Sequence, residues 1–168
     1  RVSVSAPGGL LYCAGDLTRQ STNAQYHGVD ERIVGKKPQS LSDAQAAALP
    51  LTTITAWELL FEHLALTQDE SAEQVLLIVG ASGGVGSIMV QLAATLTSAT
   101  IIATASRDSS RDWVKSLGAH HVIDHSQPMT EQIEALGVGP VTPVATLTPT
   151  DSYLDTYVEV VTPRGTNT

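Results

Sequence analysis

The residues best suited to chemistry in this chain are glycines. The run Gly80-Ala81-Ser82-Gly83-Gly84-Val85-Gly86 directly follows the apolar stretch Val75-Leu76-Leu77-Ile78-Val79. It is followed by Ile88, Met89, Leu92 and Leu96, which with Val85 recur at helical spacing. A strand, a glycine turn and a helix, in that order, is the context in which such a run takes phosphate. As a pattern it reads Ala81-x-Gly83-x-x-Gly86, with alanine at the first glycine position. Gly83 would let backbone approach a pyrophosphate with no Cβ in the way, and Gly86 would let the helix pack close to the strand. The helix N-terminus would add free N–H groups and a partial positive charge of about half a unit. The alternative is a tight strand-to-helix turn with no ligand; the strand before it and the helix after it favour a dinucleotide. No Gly-Lys-Ser/Thr follows, which excludes a P-loop.

A second set of residues lies about 20 positions further on, where an NAD site carries Asp or Glu for the ribose 2′-hydroxyl. This sequence has Thr104-Ala105-Ser106-Arg107 instead. Ser106 can donate to a 2′-phosphate and Arg107 can neutralise it. Arg111 and Lys115 follow at i+4 and i+8, on one face of the helix expected there. The surroundings are acidic: the chain carries 9 basic and 17 acidic side chains, a net charge of −8. Residues 67–168 hold 4 of the basic and 11 of the acidic ones, and three of those four are Arg107, Arg111 and Lys115. The single basic cluster of an acidic half thus falls where a 2′-phosphate would lie, so the expectation is NADP(H) rather than NAD(H). The competing reading is a solvated helix face, since Asp108 and Asp112 interleave with the arginines.

These two sets need a parallel sheet to bring them together. Strands are expected at Val75–Val79, Thr100–Ala105, His121–Ile123 and Val144–Leu147. Helices are expected after the glycine turn, at Arg107–Leu117, at Pro128–Leu136 and at Asp151–Val161. Gly118 and Gly137 are placed as left-handed helix terminators. Strands alternating with helices of this length specify an α/β, doubly wound parallel sheet. Pro143 must stand at or before the start of the fourth strand, because it cannot donate to a ladder. A doubly wound sheet has about six strands, so the sheet is expected to be incomplete, with a further strand fed by the turn at Pro163-Arg164-Gly165. Its open edge leads us to expect the 168 residues alone to be poorly soluble or inactive. Upstream of the polar stretch Thr67-Gln68-Asp69-Glu70-Ser71, Ser42 and Gln45 form a capping-box signature for a short helix that Pro50 ends. A second helix, over about Thr53–Leu64, has Ile54, Trp57, Phe61 and Leu64 as its expected buried stripe.

Composition excludes several function classes. Hydrophobic residues make up 42% of 168 positions, enough for a core. The acidic balance argues against a nucleic-acid footprint and against an anionic membrane surface. No apolar run reaches the roughly 20 residues of a membrane span. A single cysteine, Cys13, precludes an internal disulfide and any four-cysteine zinc site.

From Gly8 to about Gly165 the sequence resembles the medium-chain dehydrogenase/reductase superfamily, and within it the zinc-independent, zeta-crystallin-like quinone oxidoreductases. The matching pieces are Ala14-Gly15-Asp16, Asn23-Ala24-Gln25-Tyr26, Pro38 with Leu41-Ser42, Ala46-Ala47-Ala48-Leu49-Pro50, Thr55-Ala56-Trp57, the glycine turn and Leu117-Gly118-Ala119. The resemblance implies a partial GroES-like catalytic domain with linking helices over residues 1–66. It implies an NADP-binding Rossmann domain, truncated at its C-terminal end, over 67–168. It also implies hydride transfer from NADPH to a small-molecule quinone or α,β-unsaturated carbonyl, in a cytoplasmic homodimer with no nucleic-acid or membrane partner. By the same resemblance Ser82, Gly83, Gly84, Val85 and Gly86 match the pyrophosphate turn, Ser106 and Arg107 the 2′-phosphate position, and Thr55 a threonine near the nicotinamide. Gly9 departs from the family's usual Asp, and residues 1–7 match poorly.

No catalytic side chain is assigned, and no zinc is expected. Relatives with a structural zinc insert four cysteines between the segments around Asp16 and Tyr26, where this chain has none. His120, His121 and His125 bracket a short strand whose adjacent side chains point to opposite faces, so they read as edge histidines rather than as a ligand set. Cys13 reads as a small apolar residue, and Tyr12 and Tyr26 as packing residues. The chain offers no Ser-His-Asp or paired-carboxylate constellation, and hydride transfer from a bound cofactor needs none. The competing function is a non-catalytic NADP(H)-binding protein with a structural or regulatory role. A Rossmann-type methyltransferase is disfavoured by the preceding domain and by the basic cluster.

Overall fold

The computed structural model describes residues 8–16, 18–19, 22–67, 74–149 and 154–161. The chain divides into two compact units, residues 1–55 and 56–168. The polar stretch after Thr67, the turn at Pro163-Arg164-Gly165 and the expected start of the last helix lie outside the described residues.

In the first unit, β1 (Leu11–Cys13) pairs antiparallel with β2 (Val34–Lys36). Tyr12 lies opposite Gly35, where an added Cβ would come within 2.8 Å of the tyrosine ring. Tyr12 is therefore a packing residue, as expected, but Tyr26 is 85% exposed and packs little. Helix α1 (Asp43–Ala48) starts at the anticipated capping box: Gln45 N–H donates to Ser42 Oγ at 3.3 Å, and Ser42 N–H donates to Gln45 Oε1 at 3.0 Å. Pro50 does more than end α1; it opens α2 (Pro50–Trp57), a first-turn position that tolerates its missing N–H.

After α2 the chain widens into a π-helical segment, Glu58–His63. Leu60 is its buried residue, at 0% exposure, flanked by buried Ala56 on α2 and Leu66 beyond it, at 0% and 4%. The stripe expected here is corrected in part. Phe61 and Leu64 do pack against the core, but Ile54 and Trp57 stay 48% and 42% exposed, and Ala56 and Leu60, four residues apart, take the fully buried positions.

The second unit is built on four parallel strands in the order β5-β4-β3-β6. They are β3 (Val75–Val79), β4 (Thr100–Thr104), β5 (His121–Ile123) and β6 (Val144–Thr146). Helices α3 (Gly84–Leu96), α4 (Asp108–Ser116), α5 (Met129–Leu136) and α6 (Leu154–Val160) connect and cover them. Every residue of β3 is buried, as its unbroken apolar run requires of a central strand. Alternation sorts the strand residues into two cores. Leu76, Ile78, Ile101 and Ala103 pack with Leu60, Met89, Val90, Ala93 and Val114 on one face. Val75, Leu77, Val79 and Ile102 pack with Met129, Ile133, Val141 and Tyr157 on the other. Gly118 (φ +110°) and Gly137 (φ +64°) end α4 and α5 in the left-handed conformation. Pro143 stands just before β6, and its carbonyl accepts from Leu77 N–H. Val161, just past α6, makes an isolated parallel bridge with Val141 beside the root of β6. No helix among the described residues is long and apolar enough to cross a membrane.

Candidate functional site

Parallel strands deliver their C-terminal ends to one edge of the sheet, and the strongest sequence signals both fall there. Strand β3 ends at Gly80, whose φ of +83° turns the backbone out of the sheet in a way that L side chains rarely adopt. Gly83 N–H donates to Gly80 O at 3.1 Å and Ser87 N–H to Gly83 O at 2.8 Å, which closes the turn into α3. Gly83 is the N-cap of α3 and supplies no side-chain cap. Ser82, Gly83 and Gly84 are exposed, Val85 is half-buried, and Gly86 is buried. A Cβ on Gly86 would stand 2.6 Å from both Gly80 O and Ala81 Cα. The glycine there is a steric requirement of helix-to-strand packing. The first turn of a 13-residue helix therefore opens to solvent with no capping side chain over it, the arrangement in which backbone donors hold an anion.

The neighbouring strand, β4, ends at Thr104, followed by buried Ala105 and then exposed Ser106 and Arg107. Arg107 is the N-cap of α4. Among the described residues its guanidinium has no hydrogen-bond or ion-pair partner. The expected basic cluster is otherwise revised. Arg111 donates through Nη1 to Ala105 O at 3.1 Å and through Nη2 to Val122 O at 3.3 Å. It clamps the ends of β4 and β5, with its charge turned inward. Lys115 is exposed in the last turn of α4, about 12 Å of helix rise from Arg107. Of the three cations, Arg107 alone stands at the corner with an uncommitted head group.

Two further ties hold this edge. Trp113 Nε1 donates to Ser87 Oγ at 2.9 Å, joining α4 to the start of α3. After β5, Asp124 accepts from Ser126 N–H at 2.9 Å and Ser126 Oγ at 2.7 Å. The Ser126 N–H, then its hydroxyl, hold the Asp124 carboxyl below the usual carboxylate range, with smaller help from His125 and Arg111. Gln132 clasps the same residue from α5: Asp124 N–H donates to Gln132 Oε1 and Gln132 Nε2 donates to Asp124 O, both at 2.8 Å.

Thr55 lies on α2 at the end of the first unit, and its Oγ1 donates to Leu51 O at 2.9 Å. Cys13 is a free, half-buried thiol. The histidines do not converge: His120 Nδ1 accepts from Ile101 N–H at 2.9 Å, while His125 Nδ1 is buried without a hydrogen-bond partner. Among the described residues no group of three or more His, Cys, Asp or Glu side chains is gathered as a metal site. A zinc ion has no fitting donor set in them. A cavity of about 540 Å³ lies elsewhere, between α5, the Gly137–Val141 loop and the end of α6. Two residues that matter to the edge are not marked by any motif: Arg111, and Thr104, whose Oγ1 accepts from Gly80 N–H at 3.1 Å. Their roles depend on strand register, which motif spacing does not encode.

A parallel sheet in this strand order, with helices on both faces and a glycine turn after the central strand, is a Rossmann-type domain. Residues 84–168 match the family model for a zinc-binding dehydrogenase. A zinc-type alcohol dehydrogenase-like protein of Staphylococcus aureus is 35% identical over 166 residues, 98% of this chain and 49% of its own. A 2-methylene-furan-3-one reductase of Solanum lycopersicum is 39% identical over 110 residues, 66% of this chain and 27% of its own. Among solved structures, a Rhizobium etli protein assigned to the zinc-dependent alcohol dehydrogenases superposes with a TM-score of 0.89 at 49% identity, covering 98% of this chain and 48% of that one. A quinone oxidoreductase of Pseudomonas syringae superposes with a TM-score of 0.66 at 32% identity, covering 80% and 40%. A mycobacterial protein solved with NADPH gives 0.66 at 25% identity, covering 79% and 40%. The chain belongs to the zinc-binding dehydrogenase family, within the medium-chain dehydrogenase/reductase superfamily. It spans about half the length of the Staphylococcus relative.

Proposed function

We propose that the full-length protein is an NADPH-dependent oxidoreductase that reduces a quinone or an α,β-unsaturated carbonyl, working without zinc. The observation that carries this reading is the pairing of an uncapped glycine turn at the end of β3 with an uncommitted Arg107 at the end of β4. The two strands are hydrogen-bonded neighbours. A dinucleotide phosphate bears a pyrophosphate and a 2′-phosphate that such a pair complements. When bound, the nicotinamide would supply the hydride. The chain's own residues would bind and orient it: Ser82, Gly83, Gly84, Val85 and Gly86 through the turn and first helical donors, and Ser106 and Arg107 through the 2′-phosphate. Thr55 is proposed, on resemblance, to stand near the nicotinamide. The Solanum reductase and the Pseudomonas quinone oxidoreductase support the substrate class, and the NADPH-bound mycobacterial structure supports the cofactor. A homodimeric state for the full-length protein belongs to the same proposal.

Titration of the full-length protein with NADPH and NADH, alongside NADPH oxidation with 9,10-phenanthrenequinone, tests it. NADPH should bind the more tightly. Arg107→Asp should weaken NADPH by ten- to a hundredfold, the range of a lost charge-assisted contact, and leave NADH nearly unchanged. Equal affinity for the two cofactors, or tighter NADH, would refute the cofactor assignment. Tight NADPH binding with no turnover of quinones or enones would favour a non-catalytic binding protein.

A further inference from the structure

Where β3 leaves the sheet, Gly80 passes beyond the last β3–β4 register pair, Ile78 with Ala103. Its N–H is taken by a side chain: Gly80 N–H donates to Thr104 Oγ1 at 3.1 Å. Thr104 is 2% exposed. The site around Gly80 is closed on another side by Thr148 and Leu147, whose atoms would stand 3.0 and 3.4 Å from a Cβ built there. The bond also begins a relay. Gly80 O accepts from Gly83 N–H, and Gly83 O accepts from Ser87 N–H in the first turn of α3. One hydroxyl at the end of β4 thus fixes where the glycine turn starts, and the turn fixes the helical donors. Thr104 belongs to neither the glycine run nor the Ser106-Arg107 corner, although only Ala105 separates it from the latter.

We infer that Thr104 is a positioning residue for dinucleotide binding. It holds the pyrophosphate turn in shape for either nicotinamide cofactor and leaves 2′-phosphate discrimination to Arg107. This rests on the functional reading above. It differs from that reading in predicting a change of affinity without a change of preference.

The test uses the full-length protein and three variants. Thr104→Val keeps the shape and removes the acceptor. Thr104→Ala removes it with no bulk and serves if the valine variant does not fold. Thr104→Ser retains it. Affinities for NADPH and NADH are measured by fluorescence titration, and exchange of the Gly80 amide is followed without cofactor. Loss of the acceptor should raise both dissociation constants about tenfold (~1.4 kcal/mol) by the same factor. The NADPH-to-NADH ratio should stay constant, Gly80 exchange should quicken, and kcat at saturating cofactor should hold while KM for cofactor rises. Thr104→Ser should stay within about twofold of wild type. Variants lacking the acceptor that bind both cofactors as wild type does, or that lose NADPH alone, would overturn the inference and leave the functional reading standing. Wild-type protein that binds neither dinucleotide would overturn both.

Discussion

At the scale of single residues, two glycines of one turn answer to different demands. Gly86 is required by the protein itself, because its missing Cβ would strike backbone atoms at 2.6 Å. Gly83 is not: a Cβ there would meet only Gly80 O, at 3.4 Å, and its φ of −74° suits any residue. Its bareness is free for a ligand. Gly86→Ala should therefore destabilise the fold by about 1–3 kcal/mol, as forced overpacking does, and thermal unfolding would show it. Gly83→Ala should unfold within about 0.5 kcal/mol of wild type yet bind NADPH measurably more weakly. If both variants melt alike and bind alike, the division of labour between the two glycines is wrong. The same scale shows why charge counting along the sequence overstated the basic corner. The i, i+4, i+8 spacing of Arg107, Arg111 and Lys115 suggests one helix face, but Arg107 is the N-cap and Arg111 is drawn inward by two backbone carbonyls that no helical pattern reveals.

At the scale of elements, the sequence was most legible where one local pattern decides the outcome. The strand, turn and helix around Gly80–Gly86 formed as read, because a five-residue apolar run covered on both faces has no other stable place. The Ser42–Gln45 capping box and the glycine terminators at positions 118 and 137 also formed, each being settled within a few residues of chain. The helix after Pro50 was legible only in part: Phe61 and Leu64 pack against the core, but Ala56, whose small side chain marks no stripe, is buried where Ile54 and Trp57 stay exposed. A periodic template also does not reveal that Glu58–His63 winds more widely, with Leu64 N–H bonded to Leu59 O. Two residues past this segment stands Ala65, whose φ of +50° makes it the one described non-glycine residue in the left-handed region. Alanine is strained there and glycine is not. Ala65→Gly should accordingly raise stability by about 0.5–1 kcal/mol, read as a shift in the denaturant midpoint with unchanged slope. A loss of stability would mean that the extra freedom glycine gives the unfolded chain outweighs the relief of strain.

At the scale of the whole molecule, stability should be distributed unevenly. The second unit has two cores on a sheet whose central strand is buried on both faces. The first unit has a two-stranded sheet of three residues per strand, and Ala46 is the one buried hydrophobic residue described in it before α2. A two-stranded ribbon without a broad apolar face is marginal by itself. Within the second unit, and among the described residues, β3 and β4 are paired on both sides, whereas β5 closes one edge and β6 has β3 as its one paired strand, with the isolated Val141–Val161 bridge lying just before it. Hydrogen exchange on this 168-residue chain should therefore fall into three tiers. Amides of β3 and β4 should be slowest and should open only with global unfolding. Those of β5 and β6 should open sub-globally, and those of β1 and β2 should exchange fastest of the strands. Mass-spectrometric exchange resolved to peptides checks this directly. Protection of β1 and β2 equal to that of β3 would show that the small sheet shares the main cooperative unit. Protection of β6 equal to that of β3 would show that β6 is paired along both sides.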